Sequence, residues 1–184
     1  MQRCHWVNQD PLYHHYHDTE WGVPSKNPDY LFEMLILESF QAGLSWWTVL
    51  QKRERLRQRL CNFNPTRLAK FTDAEINDCL QDSGIIRHLG KLQAARHNAK
   101  CWLKLADPVD FIWSITQHEA RIHHYQTAQE VPTQTPESRH LSSHLKREGF
   151  KYLGPTTCQA YLQAVGVFMD HTTDCFRYHE LLKG

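Results

Sequence analysis

The chain is punctuated for helices and for little else. Residues 29–42 carry Leu31, Phe32 and Leu35 on one face, and Gly43 stops the run. Ser45 is placed to cap a second helix, about 46–60, and Pro65 opens a short helical turn to about residue 70. Thr72-Asp73-Ala74-Glu75 reads as a capping box for a helix ending near residue 81. A long helix is expected over about 91–105, and Asp107-Pro108 opens another to about 115. Pro136 sits well in a first turn and begins a helix that stops before Gly149; Gly154-Pro155-Thr156 begins the last, to about 168. Period-two alternation is nearly absent, so the expected fold is all-α. Residues 1–28, broken by Pro11, Gly22, Pro24 and Pro28, and the polar stretch 117–135 are expected to be irregular.

With 184 residues, the expectation is one domain over 1–184 with a substantial core. An apolar content of 41% with 22% charge excludes a disordered chain. No apolar run reaches membrane-spanning length, and no apolar stretch follows the first basic residue as in a secretory signal. A cytoplasmic location without membrane contact is therefore expected, with Cys61, Cys79, Cys101 and Cys158 as small buried thiols. Net charge is only +1, which lends nucleic-acid binding little support. Basic runs occur at Lys52–Arg59, Arg87–Lys100 and Lys146–Lys151, and each alone reads as a solvated helix face.

Three constellations could carry chemistry. Cys4 and His17 near the start, with His171 and Cys175 near the end, supply two thiolates and two imidazoles, the donor set of a closed structural zinc site. Such a site would tie two loose termini together. With 13 histidines in the chain, His5, His14, His15 and His179 compete for the same role on spacing alone. The second is Gly84-Ile85-Ile86-Arg87-His88-Leu89-Gly90-Lys91, lying between two helices. It suits either a plain αα-turn or a hairpin offering backbone N–H groups and cations to a DNA phosphate. The link Gly149–Thr156 has a similar form.

The third is aromatic. Four of six tryptophans, Trp6, Trp21, Trp46 and Trp47, fall within the first 47 residues, together with Tyr13 and Tyr16. Glu38 is embedded there in the apolar run from Leu31. Flat rings stack on flat ligands, and one fixed carboxylate reads a donor on the ligand's edge, which suits a nucleobase. The plain alternative is a core carboxylate paired with an arginine or a backbone group. Leu44, in the helix break that follows, is either a core leucine or a wedge for a base stack.

Taken together these residues are far more specific. Arg3-Cys4-x-Trp6, Asp10-Pro11-Leu12-Tyr13, Tyr16-His17-Asp18-x-Glu20-Trp21-Gly22-Val23-Pro24 and Leu37-Glu38-x-x-Gln41-Ala42-Gly43-Leu44-Ser45-Trp46 resemble the 3-methyladenine DNA glycosylase I family. So do Gly84-Ile85-Ile86-Arg87-His88, Gly149-Phe150-Lys151-Tyr152-Leu153-Gly154 and His171-x-x-x-Cys175, in the same order along nearly the whole chain.

The resemblance implies a monomeric helix-hairpin-helix glycosylase that removes 3-methyladenine from alkylated double-stranded DNA without cutting the strand. It implies one structural zinc on Cys4, His17, His171 and Cys175, joining the N- and C-terminal segments. It implies a base pocket of Trp6, Tyr13, Tyr16, Trp21 and Trp46 with Glu38 bonded to the base. Gln41, Gly43 and Leu44 would probe the DNA beside the lesion, and Gly84, Ile86, Arg87, Gly90 and Lys91 would hold its backbone. Two other readings stand beside this one: a zinc-stapled DNA-binding module without catalysis, and a zinc hydrolase built on an open metal site.

Overall fold

The computed structural model describes residues 1–183. Among these the chain forms ten α-helices: α1 (Pro11–Thr19), α2 (Pro28–Gln41), α3 (Trp46–Arg59), α4 (Pro65–Leu68), α5 (Asp73–Leu80), α6 (Leu89–Trp102), α7 (Pro108–Trp113), α8 (Pro136–Arg147), α9 (Pro155–Ala164) and α10 (Phe176–Leu181). Most begin where a side chain relieves unpaired N–H groups. Asn27 Oδ1 accepts from Asp29 and Tyr30 at the start of α2, and Ser45 Oγ accepts from Thr48 at the start of α3. The expected capping box on α5 is present, with Thr72 and Glu75 bonded reciprocally. No helix is long and apolar enough to cross a membrane.

The core is organised around α2. Leu31, Phe32, Met34, Leu35, Ile36, Leu37 and Phe40 are wholly inaccessible, so this helix is apolar on every side. A helix of that kind has to be enclosed, and α3, α6, α7 and α9 pack around it. Each such side chain contributes about 1.5–3 kcal/mol on burial. The enclosure also decides where Glu38 goes: from Met34 to Phe40 every residue of this helix is buried.

The structure departs from the sequence reading in four places. Residues 11–19 are helical, because Asp10 accepts from Leu12 N–H and Pro11 sits in the first turn, where it initiates rather than breaks. The helix from Gly154 ends at Ala164, and Phe168 lies instead in a short strand. That strand, β2 (Phe168–Met169), pairs in parallel with β1 (Arg121–Ile122), which anchors the stretch expected to be loop. A further helix, α10, closes the described chain. Two residues per strand are too few for an alternation to be visible.

Gly166 explains the early end of α9. It adopts φ +73°, and a Cβ there would lie 2.2 Å from the carbonyl carbon of Val23. The close approach lets Gly22 N–H donate to Gln163 O and Ser25 N–H to Val165 O, both at 3.1 Å. The segment carrying Trp21 is thereby laid along the end of α9.

Candidate active site and metal centre

Cys4, His17, His171 and Cys175 converge and are buried, with all four donor atoms within 4.8 Å of one another. Cys4 Sγ is 3.5 Å from His171 Nδ1; Cys175 Sγ is 3.4 Å from His17 Nε2 and 3.5 Å from His171 Nδ1. Tetrahedral zinc with bonds of about 2.0–2.3 Å places its donors about 3.3–3.8 Å apart. The donor chemistry and spacing therefore fit a zinc ion. His5, His14, His15 and His179 lie outside the group. The outer nitrogens are also engaged. His17 Nδ1 is 2.7 Å from Asp18 Oδ1, and Arg3 grips that carboxylate through Nε and Nη2. His171 Nε2 donates to the Trp21 carbonyl at 3.0 Å. Such outer bonds fix ring orientation at metal sites. The neighbouring Cys4 thiol draws the Cys175 thiol well below its ordinary range, while Cys175 and burial hold Cys4 well above it.

Next to this cluster lies a cavity of about 220 Å³. It is lined by Trp6, Tyr13, Tyr16, Trp21, Trp46 and Glu38, with Gln41, Ala160 and Gln163 completing the wall. All five aromatic residues expected to line a pocket are thus in one place. Trp6 packs against Tyr13 (5.2 Å between ring centres) and edge-on against Trp21 (5.0 Å), while Tyr16 leans on Trp46 at 5.2 Å. Trp47 stacks behind Tyr13 at 5.1 Å and supports the wall from outside. Ala160 and Gln163 were not foreseen. They enter from α9, over 110 residues away in sequence, and carry no local signature.

Glu38 is 2% exposed, and no described residue donates to its Oε2. Burial alone pushes its carboxyl well above the ordinary range. The core-carboxylate alternative, in which an arginine or backbone group pairs with it, is not what the fold builds. Trp46 Nε1 likewise has no partner among the described residues. One unpaired acid and one unpaired indole N–H at an aromatic cavity are able to hydrogen-bond a flat ligand. A second cavity, about 270 Å³, lies across Trp6 and Trp21, toward Ala128–Thr133. It is larger, but the carboxylate in its wall, Asp170, already has both oxygens bonded.

The helix break after α2 presents Gln41, then Gly43 at φ +78° in open space, then Leu44, 39% exposed. Leu44 is therefore not a core leucine. Of the link residues, Arg87 is exposed and Gly84 N–H is bonded to Asp82 Oδ1. Ile86 and Lys91 turn their side chains inward. Ile86 is packed in the core. Gly90 lies in the first turn of α6, where a Cβ would meet the Tyr152 hydroxyl at 2.8 Å. Lys91 is buried, and its Nζ donates to Phe40 O at 2.8 Å and Ala42 O at 2.6 Å. The end of α2 carries unpaired carbonyls and partial negative charge, which hold this ammonium in place although burial lowers its pKa. The basic run on α3 is also consumed internally: Arg53 bonds Glu20 and Glu33, Arg55 bonds Asp82, and Arg59 bonds Asp78.

Residues 6–178 match the methyladenine glycosylase family. The chain is 46% identical to DNA-3-methyladenine glycosylase 1 of Escherichia coli (strain K12), over 97% of each chain. It is 46% identical to a 3-methyladenine DNA glycosylase I (TAG) seen in a crystal structure, with a TM-score of 0.93 over 95% of this chain and 98% of the other. A variant of 3-methyladenine DNA glycosylase I (TAG) solved in complex with 3-methyladenine is 34% identical, with a TM-score of 0.91 over 96% and 97%. These relatives are enzymes, which removes the non-catalytic reading. The match over residues 6–178 and the shared helical frame place this chain in the methyladenine glycosylase family, as an N-glycosyl hydrolase.

Proposed function

We propose that the protein flips a 3-methylated adenine out of duplex DNA into the aromatic cavity and hydrolyses its glycosidic bond, leaving the strand uncut. The observation that carries this reading is Glu38, a buried carboxyl with an unpartnered oxygen at the edge of a cavity walled by stacked rings. A base methylated at N3 is cationic, so its glycosidic bond is already weak and little proton donation to the leaving group is needed. The aromatic faces favour the cation through their quadrupoles. Glu38 accepts from the base edge and ionises against the positive charge. Leu44, at the exposed tip after α2, fills the space the flipped base leaves. The α5–α6 link offers its backbone and Arg87 to the phosphates, in the manner of a helix-hairpin-helix. We further propose zinc at the Cys4, His17, His171 and Cys175 cluster. When bound it supplies rigidity rather than chemistry, since four protein donors fill a tetrahedral ion.

The test is a duplex alkylated at adenine N3, incubated with the protein and analysed for free base and for strand breaks. Free 3-methyladenine and an unbroken abasic strand are expected. Strand cleavage without added base, or no free 3-methyladenine, would refute the proposal. Lys91 takes a positioning role in this scheme, holding the probe loop from beneath. Lys91→Met should lower excision from DNA about tenfold, the scale of a lost buried charge-assisted bond. Affinity for free 3-methyladenine should stay unchanged. A parallel fall in both quantities would mean that Lys91 supports the whole fold rather than the loop.

A further inference from the structure

A chain of hydrogen bonds runs from the surface to the base cavity. His123 Nδ1 lies 2.6 Å from Asp170 Oδ1, and Asp170 Oδ2 accepts from Gln163 Nε2 at 2.7 Å. His123 is half-buried at the end of β1, Asp170 is 2% exposed just after β2, and Gln163 sits in the last turn of α9. The β1–β2 pairing brings the first two together, so the irregular stretch 117–135 acquires a purpose. Gln163 lines the base cavity and the larger cavity behind it.

An amide side chain is normally ambiguous, because it donates from one end and accepts at the other. Asp170 removes the ambiguity. A carboxylate only accepts, so it holds the NH₂ end of Gln163 toward itself. The carbonyl Oε1 is the end left over, and no described residue donates to it. We propose that Gln163 is a specificity-determining residue whose amide is locked by Asp170 to present only an acceptor to the bound base. The proposal rests on the base-pocket reading above.

Unmodified adenine offers lone pairs at each unsubstituted ring nitrogen. A free amide would turn its NH₂ toward such a nitrogen and bind it. A locked carbonyl meets it acceptor to acceptor, and the mismatch persists because the amide cannot rotate. Methylation at N3 deletes one of those lone pairs, and in the nucleotide, or in the protonated free base, the positive charge weakens the others and is attracted by a carbonyl dipole. Rejection of the normal base is thus built in as a repulsive element, beside the attractive acid Glu38.

The test is titration of the full-length, metal-loaded protein with free 3-methyladenine and with adenine, at a mildly acidic pH that protonates 3-methyladenine but not adenine, followed by tryptophan fluorescence. Asp170→Asn frees the amide to turn, so the preference for 3-methyladenine over adenine should fall about tenfold, chiefly through tighter adenine binding. Gln163→Met removes the acceptor at similar volume. It should also erode the preference, here through weaker 3-methyladenine binding together with relief of the adenine clash. Asp170 adjoins His171, so metal content is measured for each variant; if Asp170→Asn loses metal, Gln163→Met and the remote His123→Leu decide. An unchanged preference in folded, metal-replete Gln163→Met and Asp170→Asn would overturn the proposal. Failure of the unsubstituted protein to bind 3-methyladenine would instead overturn the base-pocket reading beneath it.

Discussion

Glu38→Gln lowers kcat/KM for 3-methyladenine release by about 10²-fold and, in the same protein, raises stability at neutral pH. The first effect follows from charge. Glutamine keeps the size and an acceptor but cannot ionise, and hydrogen bonds to a charged partner are about twice as strong as neutral ones. Adding the through-space attraction of a cation in a half-dry pocket gives about 2.7 kcal/mol, or 10²-fold. The loss should fall mainly on KM. As the glycosidic bond breaks, positive charge leaves the base for the sugar, so Glu38 holds the flipped ground state at least as firmly as the transition state. A variant with unchanged KM and a collapsed kcat would mean that Glu38 acts on the bond itself.

The stability effect has a definite pH window. Burial raises Glu38 in the folded protein above its unfolded value of about 4.3. Below about pH 4 both states carry the proton and no penalty exists. As pH rises from there toward the folded value, the unfolded chain releases a proton that the folded chain keeps. Stability then falls by up to about 1.4 kcal/mol per pH unit relative to a residue that does not titrate. The advantage of Glu38→Gln should therefore be small near pH 4, grow as pH rises, and level off once the folded carboxyl ionises. Urea unfolding at several pH values measures it; a pH-independent difference, or a less stable variant at pH 7, would contradict the burial argument.

What could be read from the residues alone divides along physical lines. The capped helices were legible because Asn, Ser and Thr caps, first-turn prolines and stop glycines act within a few residues. The aromatic wall was legible because it is concentrated within 47 residues, on α1, α3 and the two segments flanking α1. Gln163 and Ala160 were not, since their place in the wall depends on how α9 crosses α2. Lys91 misled for a related reason. In sequence it belongs to a basic stretch beside a glycine link, yet the fold sets its ammonium against the open end of α2, 49 residues earlier. The β1–β2 pair and the lock on Gln163 depend on two short segments far apart in the chain, which no local pattern announces.

Cys175→Ala should abolish binding of one zinc per chain, lower the unfolding midpoint by roughly 10–20 °C, and weaken free 3-methyladenine binding although no ligand to the ion touches the base. An ion whose free concentration is about 10³- to 10⁴-fold above its Kd adds about 4–5 kcal/mol, and at about 2–4 °C per kcal/mol for a chain of this length gives that midpoint shift. The link to the pocket is geometric. His17 lies one residue after Tyr16 in α1, and its ring is 5.3 Å from Trp6. The His171 ring packs edge-on against Trp21 at 4.6 Å, and its outer nitrogen holds the Trp21 carbonyl. Cys4 is two residues before Trp6. Three of the four donors thus pin segments whose aromatic neighbours are cavity walls, and the fourth, Cys175, joins both histidines from the chain's far end. Without the ion, residues 1–5 are held by the Arg3–Asp18 pair, the Phe176 N–H bond to Gln2 O and the packing of the adjoining Trp6 on Tyr13 and Trp21. Removal of the metal should therefore blunt base binding and stability together. A protein stripped of metal that stays folded and binds 3-methyladenine normally, yet fails to excise it, would show that the ion takes part in hydrolysis and that the four-donor site opens to water.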